Sequence, residues 1–191
     1  MQIAFTDPTK QEKAYDLKGL RILIIEDYPF IAELMQSLLH EMGVGDVVVA
    51  PSISVAKEKI AESNATASAA AIDAVILDWL MPDGTGLELL QWVRSHDSES
   101  IRFLPVIVCS AHASQDMVSQ SRDAGAHEVM VKPVSADKLA KRLVHVIDKP
   151  RPFLKTSDFF GPDRRRRDID FRGDEKRKAQ AETIKVNYER P

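Results

Sequence analysis

Residues 73–84 read Asp-Ala-Val-Ile-Leu-Asp-Trp-Leu-Met-Pro-Asp-Gly, and this stretch decides the fold class. Its centre, Val75-Ile76-Leu77, is a continuous apolar run, which is typical of a parallel strand covered on both faces. The run ends on a carboxylate, Asp78, and a proline–glycine turn follows shortly after it. The stretch therefore predicts a buried strand, Asp73–Asp78, that carries a carboxylate at its carboxyl end.

Apolar runs of similar length recur on both sides of this strand. They predict four further strands: Arg21–Glu26, Asp46–Ala50, Phe103–Ser110 and Glu128–Val131. Between the strands, amphipathic patterns predict helices over 29–42, 53–62, 86–95, 114–124 and 135–147. Five strands alternating with five helices predict an α/β fold with a doubly wound, five-stranded parallel sheet. Such sheets bind ligands in the crevice at the carboxyl ends of their strands.

The composition favours a soluble, globular protein. Of the 191 residues, 44% are hydrophobic and 29% are charged, which is enough apolar material for a core. The apolar runs are far shorter than the roughly 20 residues that cross a bilayer, so we expect no membrane span. Residues 1–7 lack the basic and apolar regions of a secretory signal, and we therefore expect a cytoplasmic protein. The single cysteine, Cys109, lies in an apolar run and is expected to be buried and unreactive.

Charge and periodicity divide the chain into three parts. A polar leader, 1–18, precedes the α/β region, 19–149, and a basic tail, 150–191, follows it. Residues 1–149 hold 14 Lys/Arg and 21 Asp/Glu, a net charge of −7, whereas residues 150–191 hold 12 and 8, a net charge of +4. The tail has few apolar residues and several prolines, which predicts a largely disordered segment with a short helix near 174–186.

Polar side chains lie at the ends of four predicted strands: Glu26-Asp27, Asp78, Ser110 and Lys132. The carboxyl ends of parallel strands meet at one edge of the sheet, so we expect these residues to form one cluster. Three carboxylates that lie close together need a hard cation, and Mg²⁺ prefers oxygen ligands. A carboxylate can also accept a phosphoryl group, whose oxygens a lysine and a hydroxyl would stabilise. The cluster therefore indicates phosphoryl transfer.

The same residues and their neighbours resemble the CheY-like receiver domains of bacterial response regulators, which have a flavodoxin-like fold. The resemblance covers about residues 19–148 and rests on six segments: Ile24-Ile25-Glu26-Asp27, residues 77–84, residues 86–90, Cys109-Ser110-Ala111, Ala124-Gly125-Ala126 and Val131-Lys132-Pro133. It implies that Asp78 is the phosphoacceptor. It also implies that Glu26, Asp27, Asp78 and the backbone carbonyl of Leu80 hold Mg²⁺. Ser110 would bond a phosphoryl oxygen, and Lys132 would pair with the phosphate.

The resemblance implies a response regulator in two-component signalling. A sensor histidine kinase or a phosphotransfer protein would supply the phosphoryl group. An unidentified protein would read the signal from the surface of 114–124, 128–131 and 135–147. The chain would be a phosphoacceptor rather than an enzyme, with at most Mg²⁺-dependent self-phosphorylation and self-dephosphorylation. A hydrolase fits less well, because no second general acid is placed beside Asp78 and the Lys132-Pro133 turn with Ser110 fits a receiver better. The family usually has an aromatic switch residue three positions before the lysine, where this chain has Val129.

The tail carries four successive arginines, Arg164, Arg165, Arg166 and Arg167, between Asp163 and Asp168. Three interpretations are open. The run can be a solvated, disordered segment, or it can bind nucleic acid or anionic membranes non-specifically, although its interleaved acids argue against DNA binding. It also resembles the arginine-rich extension of CheY-like cyclic di-GMP effectors, since arginine stacks on bases and pairs with guanine and phosphate. On that resemblance the six residues would bind cyclic di-GMP.

Overall fold

The computed structural model describes residues 16–64, 71–111, 114–164, 181–186 and 188. The elements in chain order are β1 (Arg21–Ile25), α1 (Pro29–Glu41), β2 (Asp46–Ala50), α2 (Ile53–Asn64), β3 (Ala74–Asp78), β4 (Leu80–Met81), β5 (Gly84–Thr85), α3 (Gly86–Ser95), α4 (Glu99–Arg102), β6 (Val106–Ser110), α5 (Gln115–Asp123), β7 (Glu128–Val131), α6 (Ala136–Asp148), β8 (Phe153–Lys155), β9 (Phe160–Pro162) and β10 (Glu182–Ile184).

The central sheet has five parallel strands in the order β2-β1-β3-β6-β7. The predicted doubly wound fold is therefore confirmed, and each of the five predicted helices is present. The fourth sheet strand begins at Val106 rather than at Phe103, because Pro105 has no N–H to donate to the sheet. Within the described ranges, no helix is long and apolar enough to cross a lipid bilayer.

Successive side chains of the central strands enter two separate cores, one on each face of the sheet. In β1, Leu23 and Ile25 lie in one core, and Ile22 and Ile24 lie in the other. Covering both faces explains why the central strands read as continuous apolar runs. Polar side chains can then reach solvent only at the ends of the strands, which is where the candidate functional residues lie.

The described part of the basic tail differs from the predicted disorder. Strands β8, β9 and β10 form a three-stranded antiparallel sheet in the order β10-β8-β9, and we call residues 150–191 the C-terminal extension. Residues 182–184 are a strand where a helix had been expected near 174–186, and residues 174–180 lie outside the described ranges. The aromatic ring of Phe153 explains why this part of the extension is structured. The ring is fully buried and packs edge-to-face on Phe103, with ring centroids 4.8 Å apart.

The C-terminal extension contacts the receiver-like body near the amino-terminal ends of β6 and β7. The hydroxyl of Tyr188 donates to the carbonyl of Phe103 at 2.9 Å and lies 3.1 Å from Nε2 of His127. A Cβ on Gly161 would lie only 2.9 Å from the Cα of Gly125, so the two backbones approach closely where neither carries a side chain. The extension therefore covers the end of the sheet opposite to the predicted site.

Candidate functional site

The tertiary structure brings the predicted carboxylates together at the carboxyl edge of the sheet. Glu26 follows β1 directly, and Asp78 is the last residue of β3, the neighbouring strand. One carboxylate oxygen from each of Glu26, Asp27 and Asp78 lies within 4.8 Å of the others. Glu26 is buried, Asp78 is half-buried and Asp27 is exposed, so the cluster opens to solvent on the side of Asp27. Three converging carboxylates form a donor set that fits Mg²⁺.

Lys132 joins two of these carboxylates. Its ammonium Nζ donates to Oε2 of Glu26 at 2.6 Å and to Oδ2 of Asp78 at 2.7 Å. Burial would lower the pKa of Lys132, but the hydrogen bonds to the two carboxylates outweigh it, so the pKa is raised and the ammonium stays charged. Burial raises the pKa of Glu26, and the attraction of Lys132 offsets that increase only in part. The peptide bond from Lys132 to Pro133 is cis.

Ser110 ends β6 and is buried, with 3% of its surface exposed. Its backbone carbonyl accepts a hydrogen bond from the N–H of Lys132 at 2.8 Å, so the two residues flank the cluster together. The preceding residue, Cys109, points into the core below the site. Burial raises the pKa of the Cys109 thiol to about 12, so it remains protonated, as expected of an unreactive thiol.

The turn after Asp78 is a small antiparallel hairpin of β4 and β5. The carboxylate of Asp83 accepts hydrogen bonds from the backbone N–H groups of Ile53 at 2.9 Å and Ser54 at 3.0 Å, and therefore caps the amino terminus of α2. The bonds from Ser54 and Ile53 lower the pKa of Asp83 to about 2. Sequence reasoning missed this role, because the two partners lie about 30 residues apart and no local pattern links them.

Leu80 and Val129 are two further residues near the site that the sequence singled out. The side chain of Leu80 is exposed, and its backbone carbonyl stays a predicted magnesium ligand. Val129 is half-buried in β7, lies opposite Val108 and packs against the core.

Two of the predicted cyclic di-GMP ligands lie in the described part of the chain. Arg164 donates to Oδ1 of Asp123 at 2.6 Å, and its guanidinium lies 4.3 Å above the ring of Phe159. The backbone N–H of Asp163 donates to the carbonyl of Pro152 at 2.8 Å. The remaining four, Arg165, Arg166, Arg167 and Asp168, lie outside the described residues. Binding of cyclic di-GMP therefore stays a prediction.

Comparisons with known proteins agree with this geometry. The chemotaxis protein CheY of Pseudomonas aeruginosa is 27% identical over 130 residues, covering 68% of this chain and 98% of that protein. The crystal structure of a response regulator receiver domain protein from Clostridium thermocellum is 27% identical, with a TM-score of 0.58, and the match covers 68% of this chain and 94% of that one.

A CheY-like receiver domain protein from Methanospirillum hungatei is 25% identical, with a TM-score of 0.57 and coverage of 68% and 94%. Residues 22–144, which include the acidic cluster, Ser110 and Lys132, match the family model described as the response regulator receiver domain. The chain therefore belongs to the response regulator receiver domain family.

Proposed function

We propose that this chain is a phosphorylation-dependent response regulator that accepts a phosphoryl group on Asp78. The observation that carries the proposal is the position of its carboxylate. Asp78 lies beside two further carboxylates and accepts a hydrogen bond from the ammonium of Lys132 at 2.7 Å. A bound Mg²⁺ would neutralise charge on the phosphoryl oxygens. Glu26, Asp27, Asp78 and the carbonyl of Leu80 would hold it.

Residues of the chain itself supply the other groups that take part in phosphoryl transfer. One oxygen of Asp78 attacks phosphorus, the bond from phosphorus to the donor atom breaks, and the electron pair leaves with the donor. Lys132 places a permanent positive charge where the phosphoryl oxygens arrive. Ser110 offers a hydroxyl from the end of the adjacent strand. Asp78 serves as a phosphoacceptor, with at most Mg²⁺-dependent self-phosphorylation and self-dephosphorylation.

Membership of the receiver family supports a proposal for the donor and for the output. A sensor histidine kinase or a phosphotransfer protein would deliver the phosphoryl group. A downstream protein would read the result on the surface formed by α5, β7 and α6. Because Val129 has no ring to turn inward, we propose that the response depends on Ser110 rather than on an aromatic switch.

The experiment that tests the phosphoacceptor is incubation with acetyl phosphate and Mg²⁺, followed by intact-protein mass spectrometry. We expect one added phosphate, which hydroxylamine removes because an acyl phosphate is labile to it. Asp78→Asn abolishes the addition, whereas the matched variant Asp97→Asn, at an exposed loop position, retains it. Phosphate that persists on Asp78→Asn would overturn the assignment.

Cyclic di-GMP binding by the tail remains an alternative that rests on the sequence. Among the described residues, Arg164 is engaged by Asp123 and Phe159, so a nucleotide would have to displace these contacts. No contact of the described residues favours this function over the phosphoacceptor.

A further inference from the structure

The hairpin of β4 and β5 carries the backbone carbonyl that is predicted to complete the magnesium site. Leu80, the first residue of β4, follows Asp78 by two positions and pairs with Thr85 across the hairpin. Each strand has only two residues, and a two-stranded ribbon is at best marginally stable by itself. The side chain of Leu80 is 65% exposed and gives the hairpin little packing at this point. Other contacts must therefore hold the Leu80 carbonyl in position.

One of these contacts joins the tip of the hairpin to α2. The carboxylate of Asp83 accepts from the backbone N–H groups of Ile53 at 2.9 Å and Ser54 at 3.0 Å, and also from the hydroxyl of Ser54. These bonds, led by the one from the Ser54 hydroxyl, lower the pKa of Asp83 to about 2, so the carboxylate is ionised at neutral pH. Hydrogen bonds to an ionised acceptor are stronger than those between neutral groups. Asp83 therefore attaches the hairpin to a helix that begins 30 residues earlier in the chain.

Helix α2 does not depend on Asp83 alone for its first turn. The hydroxyl of Ser52 accepts from the backbone N–H of Val55 at 3.2 Å, as an N-cap residue does. The first turn of α2 has no acidic residue of its own, so Asp83 supplies from another element the negative charge that favours a helix amino terminus. The two caps satisfy different N–H groups of the same helix, which makes Ser52 a matched comparison for Asp83.

The base of the hairpin is fixed from the other side. The backbone N–H of Gly86 donates to the carbonyl of Trp79 at 2.8 Å. The hydroxyl of Thr85 then caps the amino terminus of α3. Leu80 lies between this fixed base and the tip of the hairpin at Asp83. The position of its carbonyl therefore depends on both anchors.

The binding of Mg²⁺ is sensitive to small displacements of its ligands. The ion requires near-octahedral geometry, with oxygen ligands at about 2.0–2.1 Å. Residues that only orient a ligand commonly change metal affinity by about 10- to 100-fold when they are lost. Glu26 and Asp78 are held at the ends of strands of the central sheet, whereas Leu80 lies in the hairpin outside that sheet. The Leu80 carbonyl is therefore a ligand whose position an anchor outside the central sheet can control.

We propose that Asp83 is a positioning residue for the magnesium site. By attaching the tip of the hairpin to the amino terminus of α2, it fixes the carbonyl of Leu80 near Asp78 before a metal ion binds. Asp83 is not itself a metal ligand in this arrangement, and it acts through Leu80. The proposal rests on the proposed function for the role of Mg²⁺, and it extends the site to a contact with a different helix.

The test is a Mg²⁺ titration of the full chain that follows the fluorescence of Trp79, which is next to Asp78. Trp92, the second tryptophan of the chain, is replaced by phenylalanine in every protein compared, so that a single indole reports. We expect Asp83→Ala to raise the dissociation constant of Mg²⁺ by about tenfold. Acetyl phosphate should label this variant at the parent rate once Mg²⁺ is saturating. Asp83 is exposed, so alanine leaves no cavity and the variant should fold.

Control variants separate positioning from helix stability and from charge. Ser52→Ala removes the other cap of α2 and should lower stability to urea without changing the affinity for Mg²⁺. Glu88→Gln removes a negative charge beside the hairpin, where Oε2 of Glu88 would lie 2.8 Å from a Cβ on Gly84, and should also leave the affinity unchanged. Asp83→Asn keeps one acceptor oxygen and should give a smaller shift than Asp83→Ala.

Three results would overturn the proposal. The first is an unchanged dissociation constant of Mg²⁺ in Asp83→Ala. The second is an equal rise in Ser52→Ala, which would assign the effect to the stability of α2. The third is an equal rise in Glu88→Gln, which would assign it to long-range charge.

Labelling by acetyl phosphate distinguishes this proposal from that of the phosphoacceptor. A shift of the Mg²⁺ affinity in Asp83→Ala, together with phosphate that persists on Asp78→Asn, would count against the phosphoacceptor alone. Labelling of Asp78 with an unshifted Mg²⁺ affinity in Asp83→Ala would count against Asp83 alone. A parent chain that binds no Mg²⁺ would overturn both.

Discussion

Lys132 offsets negative charge within the acidic cluster. Its ammonium lies 2.6 Å from Glu26 and 2.7 Å from Asp78, where it reduces the repulsion between two carboxylates that burial brings together. The same ammonium competes with any metal ion for these oxygens. Lys132 therefore has two opposed effects, since it stabilises the metal-free site and weakens the binding of a cation.

Replacing Lys132 by alanine should separate these effects. We expect Lys132→Ala to bind Mg²⁺ more tightly by about tenfold, the order expected when a unit charge a few ångströms away is removed from a partly screened site. Phosphorylation by acetyl phosphate should fall in the same variant, because the phosphoryl oxygens lose their fixed cation. Titration of the fluorescence of Trp79, next to Asp78, measures the metal affinity. Weaker Mg²⁺ binding would contradict the competition.

His127 is buried, and its hydrogen bonds define which ring nitrogen carries the hydrogen. Its Nδ1 accepts from the backbone N–H of Val106 at 3.2 Å and lies 3.3 Å from the guanidinium of Arg94, so Nδ1 carries no proton. Nε2 then carries the hydrogen and faces the hydroxyl of Tyr188, which itself donates to the carbonyl of Phe103. Burial, with Arg94 and Arg151 nearby, lowers the pKa of His127 well below its usual value of 6.5.

The lowered pKa of His127 makes stability depend on pH. The unfolded chain takes up a proton below pH 6.5 and the folded chain does not, so the free energy of unfolding should fall as pH drops below 6.5, by up to about 1.4 kcal/mol per pH unit. Above pH 6.5 this contribution is constant. Urea denaturation between pH 5 and 8 measures it. His127→Gln, which keeps an acceptor but does not titrate, should lose this part of the slope, and an unchanged slope would exclude His127 as its source.

At the scale of elements, β8 attaches the C-terminal extension to the body through one side chain. Phe153 is fully buried and contacts the rings of Phe103, His127 and Phe160. The guanidinium of Arg94 lies 5.3 Å from the centre of the Phe153 ring and donates to the carbonyls of Gly125, Arg102 and Leu104. Strand β8 therefore completes a cluster of aromatic and cationic groups, because Phe153 fills the space between side chains of the body.

Truncation of this ring should be costly. We expect Phe153→Ala to lower the free energy of unfolding by about 3–5 kcal/mol, because a large buried ring is lost and a cavity remains. Leu154→Ala, the next residue in β8 and only half-buried, serves as the matched control and should cost clearly less. Denaturant titration measures both variants. Similar small losses would mean that the extension is not anchored through Phe153.

At the scale of the whole molecule, the two ends of the central sheet have different roles. The carboxyl ends of the strands carry the acidic cluster and Lys132, and the amino ends of β6 and β7 carry the contacts with the C-terminal extension. Because the two ends are separate, we expect substitutions in the described part of the extension to change stability without altering the contacts of the acidic cluster.

Much of the body could be predicted from the sequence. The five apolar runs defined the strands, because strands covered on both faces need continuous apolar residues. Glu26, Asp78, Ser110 and Lys132 could be grouped before their distances were known, because the carboxyl ends of parallel strands meet at one edge. Membership of the receiver family follows from this same region, residues 22–144.

The C-terminal extension shows what local sequence could not predict. Its charged, proline-containing composition predicts disorder. In the structure, however, Phe153 and Tyr188 attach the extension to Phe103 and His127. Likewise, Glu128 gains Arg151 as a partner 23 residues away, and Asp83 caps a helix that begins 30 residues before it. The sequence by itself determined the strands and the acidic cluster, because periodicity and parallel topology place those residues. Only the tertiary structure decided how the extension packs, because its energy comes from contacts between distant residues that no local pattern encodes.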